Sequence, residues 1–324
     1  MLTPMFLSKL PDRMVEMYAG LEDDIIADIA RRIATYDYFI PSAEHQFRVL
    51  QEYGTAYDDI IKRISKKSGS TQKEINRLIS EAGAETLKSD RLIYSKAGMD
   101  IKPLSAAPHV RALLMAGARQ TRGEFNNLTR TAARGGAQGY VAALDRAFMQ
   151  ITSGAFSHEA AVRGAIKELA EKGVQTVGYA SGRKMSLEGA VRLAVTTGVN
   201  ANALAVQNAY MDEVGCDLVE TTAHAGARPS HAQWQGKVFS RSGTHPKYPP
   251  LTEGTGYGTG AGLGGWNCRH SMFPFFDGAS EPTHTREELA EYNKPKYEYN
   301  GKKLTEYEAV SQLEIGRASC RERV

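Results

Sequence analysis

With 324 residues, 42% of them hydrophobic and 24% charged, the chain can bury one sizeable core or two smaller ones, and nothing in its composition points to wholesale disorder. A formal net charge of +3 does not announce a nucleic-acid binder. Three cysteines are too few for a disulfide framework, and no apolar run approaches the roughly 20 residues that cross a bilayer, so the expectation is a protein used in a reducing compartment with no membrane partner.

In chain order, the first half has a helical period. Leu21, Ile25, Ile26, Ile29 and Ile33 recur at three- and four-residue spacing behind Pro11-Asp12, and Phe47, Leu50, Tyr53, Tyr57, Ile60, Ile61 and Ile64 repeat the pattern after Pro41. Thr71-Gln72-Lys73-Glu74 has the form of a capping box and predicts a new helix running to about Ser95, with Gly98 and Pro103 breaking it. Further helices are expected over about 108–133, 138–151, 159–171 and 187–213, separated by Gly135-Gly136, Ser153-Gly154 and Gly173.

The character changes near Val214. Asp217 to Thr222 is short and β-prone, Lys237 to Ser240 can pair with it, and Gly, Pro and Ser then dominate until Trp266. A short helix is expected behind Thr285, and Asn300-Gly301 supplies the positive-φ pair of a two-residue hairpin turn. Thr305 to Glu308 forms another capping box, so a helix begins there. The expected class is α+β: a mainly helical N-terminal two-thirds with a small loop-rich α+β C-terminal module. Its expected divisions are amphipathic helices over 1–104, a central helical region over 105–213, a compact module over 214–278, and a short helix, hairpin and helix start over 279–313. Residues 314–324, EIGRASCRERV, resemble the translation of a sequencing adapter and are set aside, Cys320 with them; the charge then falls to +2 and the natural protein is expected to be longer.

The chemistry concentrates between Val219 and Phe276. His224, His231, Cys268 and His270 lie there with both tryptophans, and residues 268 and 270 of an extended backbone point to one face. Zinc takes four N or S ligands and these four residues can supply them, although Cys-x-His is tighter than the usual ligand spacing. Two other readings stay open: histidines bonded to loop carbonyls with Cys268 packed as a small hydrophobe, and Cys268 as a nucleophile with a histidine base. The Gly260-to-Gly265 run satisfies G-x-G-x-x-G but lacks the flanking strand and helix, so it is expected to be a turning connection and not a nucleotide site. Arg119, Arg122, Arg130 and Arg134, with Asn126, fall at helical spacing and can present a basic stripe to DNA or a partner, or simply a solvated face. Arg228 and Arg269 are expected to clamp loop carbonyls or Glu220.

Three segments carry a family resemblance: GARPSHAQWQGKVFS (Gly226 to Ser240), GYGTGAGLGGWNCRHSMFPFF (Gly256 to Phe276) and YASGRKMSLEGAVRLAVTTGVN (Tyr179 to Asn200). With NNLTRTAA (Asn126 to Ala133) and the stretch from Leu144 to Val174, they resemble the type 2 minor capsid proteins of tailed bacteriophages of Gram-positive hosts. The resemblance implies a structural head component, few in copies, that associates with the portal or inner capsid during head assembly in the bacterial host cytoplasm and ends in the virion. It also implies N-terminal helices used for docking and a module held by its GARPSH and NCRH segments, in which Arg228, Trp234, Gly236, Trp266, Asn267 and Arg269 are structural. The alternatives are a virion-carried metal- or Cys-dependent enzyme, separable by metal analysis and a Cys268 variant, and a packaging factor that binds packaged DNA through the arginine row.

Overall fold

The computed structural model describes residues 2–177 and 184–312; the suspected adapter segment at 314–324 lies outside them. The elements in order are α1 (Pro4–Lys9), α2 (Asp12–Thr35), α3 (Ser42–Lys96), α4 (Pro108–Thr152), α5 (His158–Lys172), β1 (Gln175–Val177), β2 (Lys184–Ser186), α6 (Leu187–Val214), β3 (Leu218–Thr221), α7 (Pro229–Ala232), β4 (Val238–Ser240), α8 (Leu251–Thr255), β5 (Met272–Phe275), α9 (Arg286–Tyr292), β6 (Tyr297–Tyr299) and β7 (Lys302–Leu304). The fold is α+β, long helices first and short strands late.

Two helices are longer than the local signals predict. Thr71 is not a cap but an interior residue of α3, a single helix of 55 residues, where it is buried with its hydroxyl 3.4 Å from that of Tyr18. Ala56, Ile60, Ile64, Ile75, Leu78 and Ala82 keep one buried stripe on either side of it, and burial of that stripe outweighs the local preference to start afresh. Nor do Gly135 and Gly136 break α4. A Cβ on Gly136 would stand 2.8 Å from Ile60 Cδ1, so the bare backbone lets α3 approach, and close packing replaces the expected turn.

The described residues fall into two compact units, one of 2–11, 73–122 and 193–312, the other of 12–72 and 123–192 apart from 178–183. The second unit is helical apart from the β1–β2 pair. Leu21, Ile25, Ile29 and Ile33 of α2 are buried, as are Ile60 and Ile64 of α3, Leu144 and Phe148 of α4, and Leu169 of α5. Each such apolar side chain contributes about 1.5–3 kcal/mol of burial. One imidazole is built into this core: His45 is bonded to the Tyr36 hydroxyl through Nδ1 (2.9 Å) and to Asp145 Oδ1 through Nε2 (2.9 Å), and it stacks on Phe148 at 3.8 Å.

The first unit places a three-stranded antiparallel sheet, ordered β4-β3-β5, on helices. Val219, Phe239 and Met272 from the strands share one core with Leu87 and Tyr94 of α3, Val110 of α4 and Leu204, Tyr210 and Met211 of α6, with Trp234, Leu251 and Leu263 closing it. The chain from Val214 onward is therefore folded against earlier helices and does not build its core alone. Beyond the sheet, α9 carries a full capping box between Thr285 and Glu288, and Asn300 (φ 51°) and Gly301 (φ 73°) turn the β6–β7 hairpin. Thr305 and Glu308 bond reciprocally at the start of a last helix over 306–312.

Candidate functional site

Strand register assembles the site. β3 and β5 pair with Thr221 opposite Met272, and the pairing continues outward as Thr222 and Ser271 exchange bonds of 2.9 Å. The residues leaving β3 therefore run beside those entering β5, which sets His224 against His270 with ring centroids 4.4 Å apart. After His224 the chain turns into α7, which carries His231, and returns through Trp234 and Gln235 to β4. Trp234 is buried with its ring 4.7 Å from that of His231 and 4.8 Å from that of His270.

The Gly-rich segment is a tight turn. A Cβ on Gly262 would lie 2.0 Å from the Gly256 carbonyl oxygen, and one on Gly265 would lie 2.3 Å from that of Gly260, approaches that no larger residue permits. Folded on itself in this way, the loop presents the Ala261 carbonyl to His231, whose Nε2–H donates at 2.8 Å. Arg228 Nη2 donates to the Trp266 carbonyl at 2.9 Å, a clamp on a loop carbonyl; Glu220, the other expected acceptor, takes the Thr283 amide instead (2.8 Å). Asn267 sits at φ 52° with its amide on Thr197 Oγ1, and Gly236 at φ 66° donates to the Thr221 carbonyl. The Trp266 indole is exposed, and Arg269 is half-buried near His224.

Three of the four expected ligand residues converge. Cys268 Sγ stands 3.7 Å from His231 Nδ1 and 3.8 Å from His270 Nδ1, and the three ligand atoms all lie within 4.8 Å of one another. All three residues are only 1% exposed. His224 lies beside this triad but outside it, its Nδ1–H donating to the Ala225 carbonyl at 2.6 Å.

The tautomers are fixed by their outer partners. A carbonyl can only accept, so His231 carries its proton on Nε2. Gln235 Oε1 accepts from the His224 amide at 3.1 Å and from His270 Nε2–H at 3.1 Å, which places the proton of His270 on Nε2 as well. Both Nδ1 atoms consequently turn lone pairs toward one sulfur. Burial holds all three imidazoles neutral: His270 is pushed down to about 2, with the neighbouring histidines and arginines adding to the effect, His224 to about 4, and His231 in the same direction. Burial likewise raises the Cys268 thiol, so in the absence of a cation the sulfur keeps its proton. A thiol only 1% exposed is out of a substrate's reach, whereas two neutral imidazoles and a sulfur are groups that could bind a cation.

Asn200 and Gln235 had no part in the sequence-level site. Asn200 of α6 donates from Nδ2 to the carbonyls of both Cys268 (3.0 Å) and His270 (2.8 Å), fixing the backbone that carries two of the three groups. It lies seven residues from Gln207, another buried amide, on a helix otherwise dominated by Ala, Val and Leu, and that polar row was the available signal. Of the arginine row on α4, Arg119, Arg130 and Arg134 are exposed, while Arg122 is half-buried and donates to its own helix at the Ala118 carbonyl.

Fold and site together define a mainly helical α+β protein whose His231, Cys268 and His270 cluster is buried. The family model described as phage minor capsid protein 2 matches residues 2–312, and the chain belongs to that family. It is similar to a protein named "Structural protein" from Lactococcus phage LL-H, 26% identical over 250 residues that cover 73% of this chain and 67% of that one. No solved structure matches. Among the described residues, no helix is long and apolar enough to cross a membrane.

Proposed function

We propose that this phage structural protein is a minor head component that docks on the portal or the inner capsid while the head assembles in the host, and remains in the virion. The family match over 2–312 carries this reading. Its surface supports it: Phe39 (78% exposed), just before α3, and Phe47 (62%) and Leu50 (72%), in its first turns, leave large apolar side chains mostly in water. The apolar stripe of α2 is already buried within its own unit, so docking falls to these exposed residues. Phe47 and Leu50 are one helical turn apart and form one edge for a partner surface.

The test is a head-incorporation assay with Phe47→Ser and Leu50→Ser combined. Docking predicts a folded protein with an unchanged melting temperature that is missing from purified heads. Normal copy number in those heads would contradict the assignment. DNA binding through the α4 arginines is the competing outcome, and would show instead as a salt-sensitive shift of duplex DNA lost on replacing Arg130 and Arg134.

A further inference from the structure

Two imidazole lone pairs face one thiol in the buried triad, and the thiol has a single proton to give. Cys268 Sγ can donate to His231 Nδ1, to His270 Nδ1 or to the His270 carbonyl (3.8 Å), but to only one of them at a time. Without another occupant, at least one imidazole nitrogen is left without a donor and shielded from bulk solvent, since all three residues are 1% exposed. Neither histidine can relieve this by changing tautomer, because Ala261 and Gln235 offer only acceptors to the Nε2 atoms. The arrangement supplies three of the four ligands that zinc takes and is incomplete as a hydrogen-bond network.

We propose that His231 Nδ1, Cys268 Sγ and His270 Nδ1 hold one zinc ion, which braces the loop-rich module from within. The two sulfur–nitrogen spacings agree: zinc bonds of about 2.3 Å to sulfur and about 2.0 Å to nitrogen at a tetrahedral angle separate S from N by about 3.5 Å, and the observed separations are 3.7 and 3.8 Å. The two nitrogens, within 4.8 Å of each other, would close to about 3.3 Å on binding. Each histidine already has the outer partner that metal-bound imidazoles carry, a backbone carbonyl for His231 and a side-chain amide oxygen for His270. Two nitrogens and a thiolate match a borderline-soft cation and disfavour calcium or magnesium, which prefer oxygen ligands. On binding, the S–H bond breaks, the proton leaves to solvent and the thiolate pair forms the Zn–S bond. The ion joins α7 to the strand-entry segment across 37 residues of sequence that include the Gly-rich turn, a stretch with little regular structure of its own. This inference rests on the triad alone and stands apart from the docking assignment.

The experiment uses the full chain, purified without chelator and dialysed. Elemental analysis should find about one zinc per chain, a strong chelator should lower the melting temperature by about 5 °C or more, and zinc added back should restore it. Cys268→Ser should lose the metal, whereas Cys216→Ser, which changes the other described cysteine, should keep it. Should Cys268→Ser fail to fold, the chelator and add-back arms on the unaltered chain still decide. No retained zinc, together with no change in melting temperature when zinc is added to chelator-treated protein, would overturn the proposal, as would equal zinc in the Cys268→Ser and unaltered chains.

Discussion

His45 and His270 are both buried imidazoles, yet they do different things. His45, in the helical unit, is bonded on both ring nitrogens, to Tyr36 and Asp145, and stacks on Phe148; every valence it has is used. His270, in the sheet-bearing unit, spends one nitrogen on Gln235 and shares a single thiol proton with His231 for the other. A histidine paired on both sides is finished architecture. One whose lone pair meets another at a sulfur still has bonding capacity, and the zinc proposal rests on that residual capacity.

The comparison breaks most readily at Asn200. Replacing it with Ala leaves the buried carbonyls of Cys268 and His270 without their donor, and should destabilise the chain by about 2–4 kcal/mol, seen as a lower urea midpoint. An Asn200→Ala chain as stable as the original would mean that the backbone of the triad is held by something else.

Glu220 gives a medium effect with a definite sign. Its carboxyl is buried, and burial raises its pKa to about 6 while the Thr283 amide offsets only part of the shift. Because the folded pKa lies above the unfolded value, the folded state binds the extra proton, and the chain should lose about 2 kcal/mol as pH rises from about 4.5 to about 6, with no further loss above. Glu220→Gln should remove that segment of the stability–pH curve. Identical curves for the two proteins between pH 4 and 7 would contradict the assignment.

Asp145→Ala should have the smallest effect. The carboxylate is about half exposed, so losing its bond to His45 should cost no more than about 1 kcal/mol and leave any bound metal untouched, by denaturant titration and elemental analysis of the same sample. A change in metal content on replacing Asp145 would show that the two histidine environments are not independent.

Much of the fold was legible in the sequence. Periodicity found the helices, and turn chemistry found the β6–β7 hairpin, because Asn300-Gly301 acts locally. Thr71 and Gly136 misled for the converse reason: their local signals are genuine, but a buried stripe in α3 and a close helix approach at Ile60 decide the outcome, and both depend on distant sequence. At the site, His231, Cys268 and His270 were visible as residue types. What sequence could not supply was the orientation of their protons, which is set by the carbonyl of Ala261, the oxygen of Gln235 and the reach of Asn200.

The most direct measurement is X-ray absorption at the zinc edge on the intact, dialysed chain. The account predicts a zinc shell with one sulfur at about 2.3 Å and two imidazole nitrogens at about 2.0 Å, and loss of the sulfur scatterer in Cys268→Ser. A spectrum with no zinc, or a shell of oxygen and nitrogen alone in the unaltered protein, would contradict it.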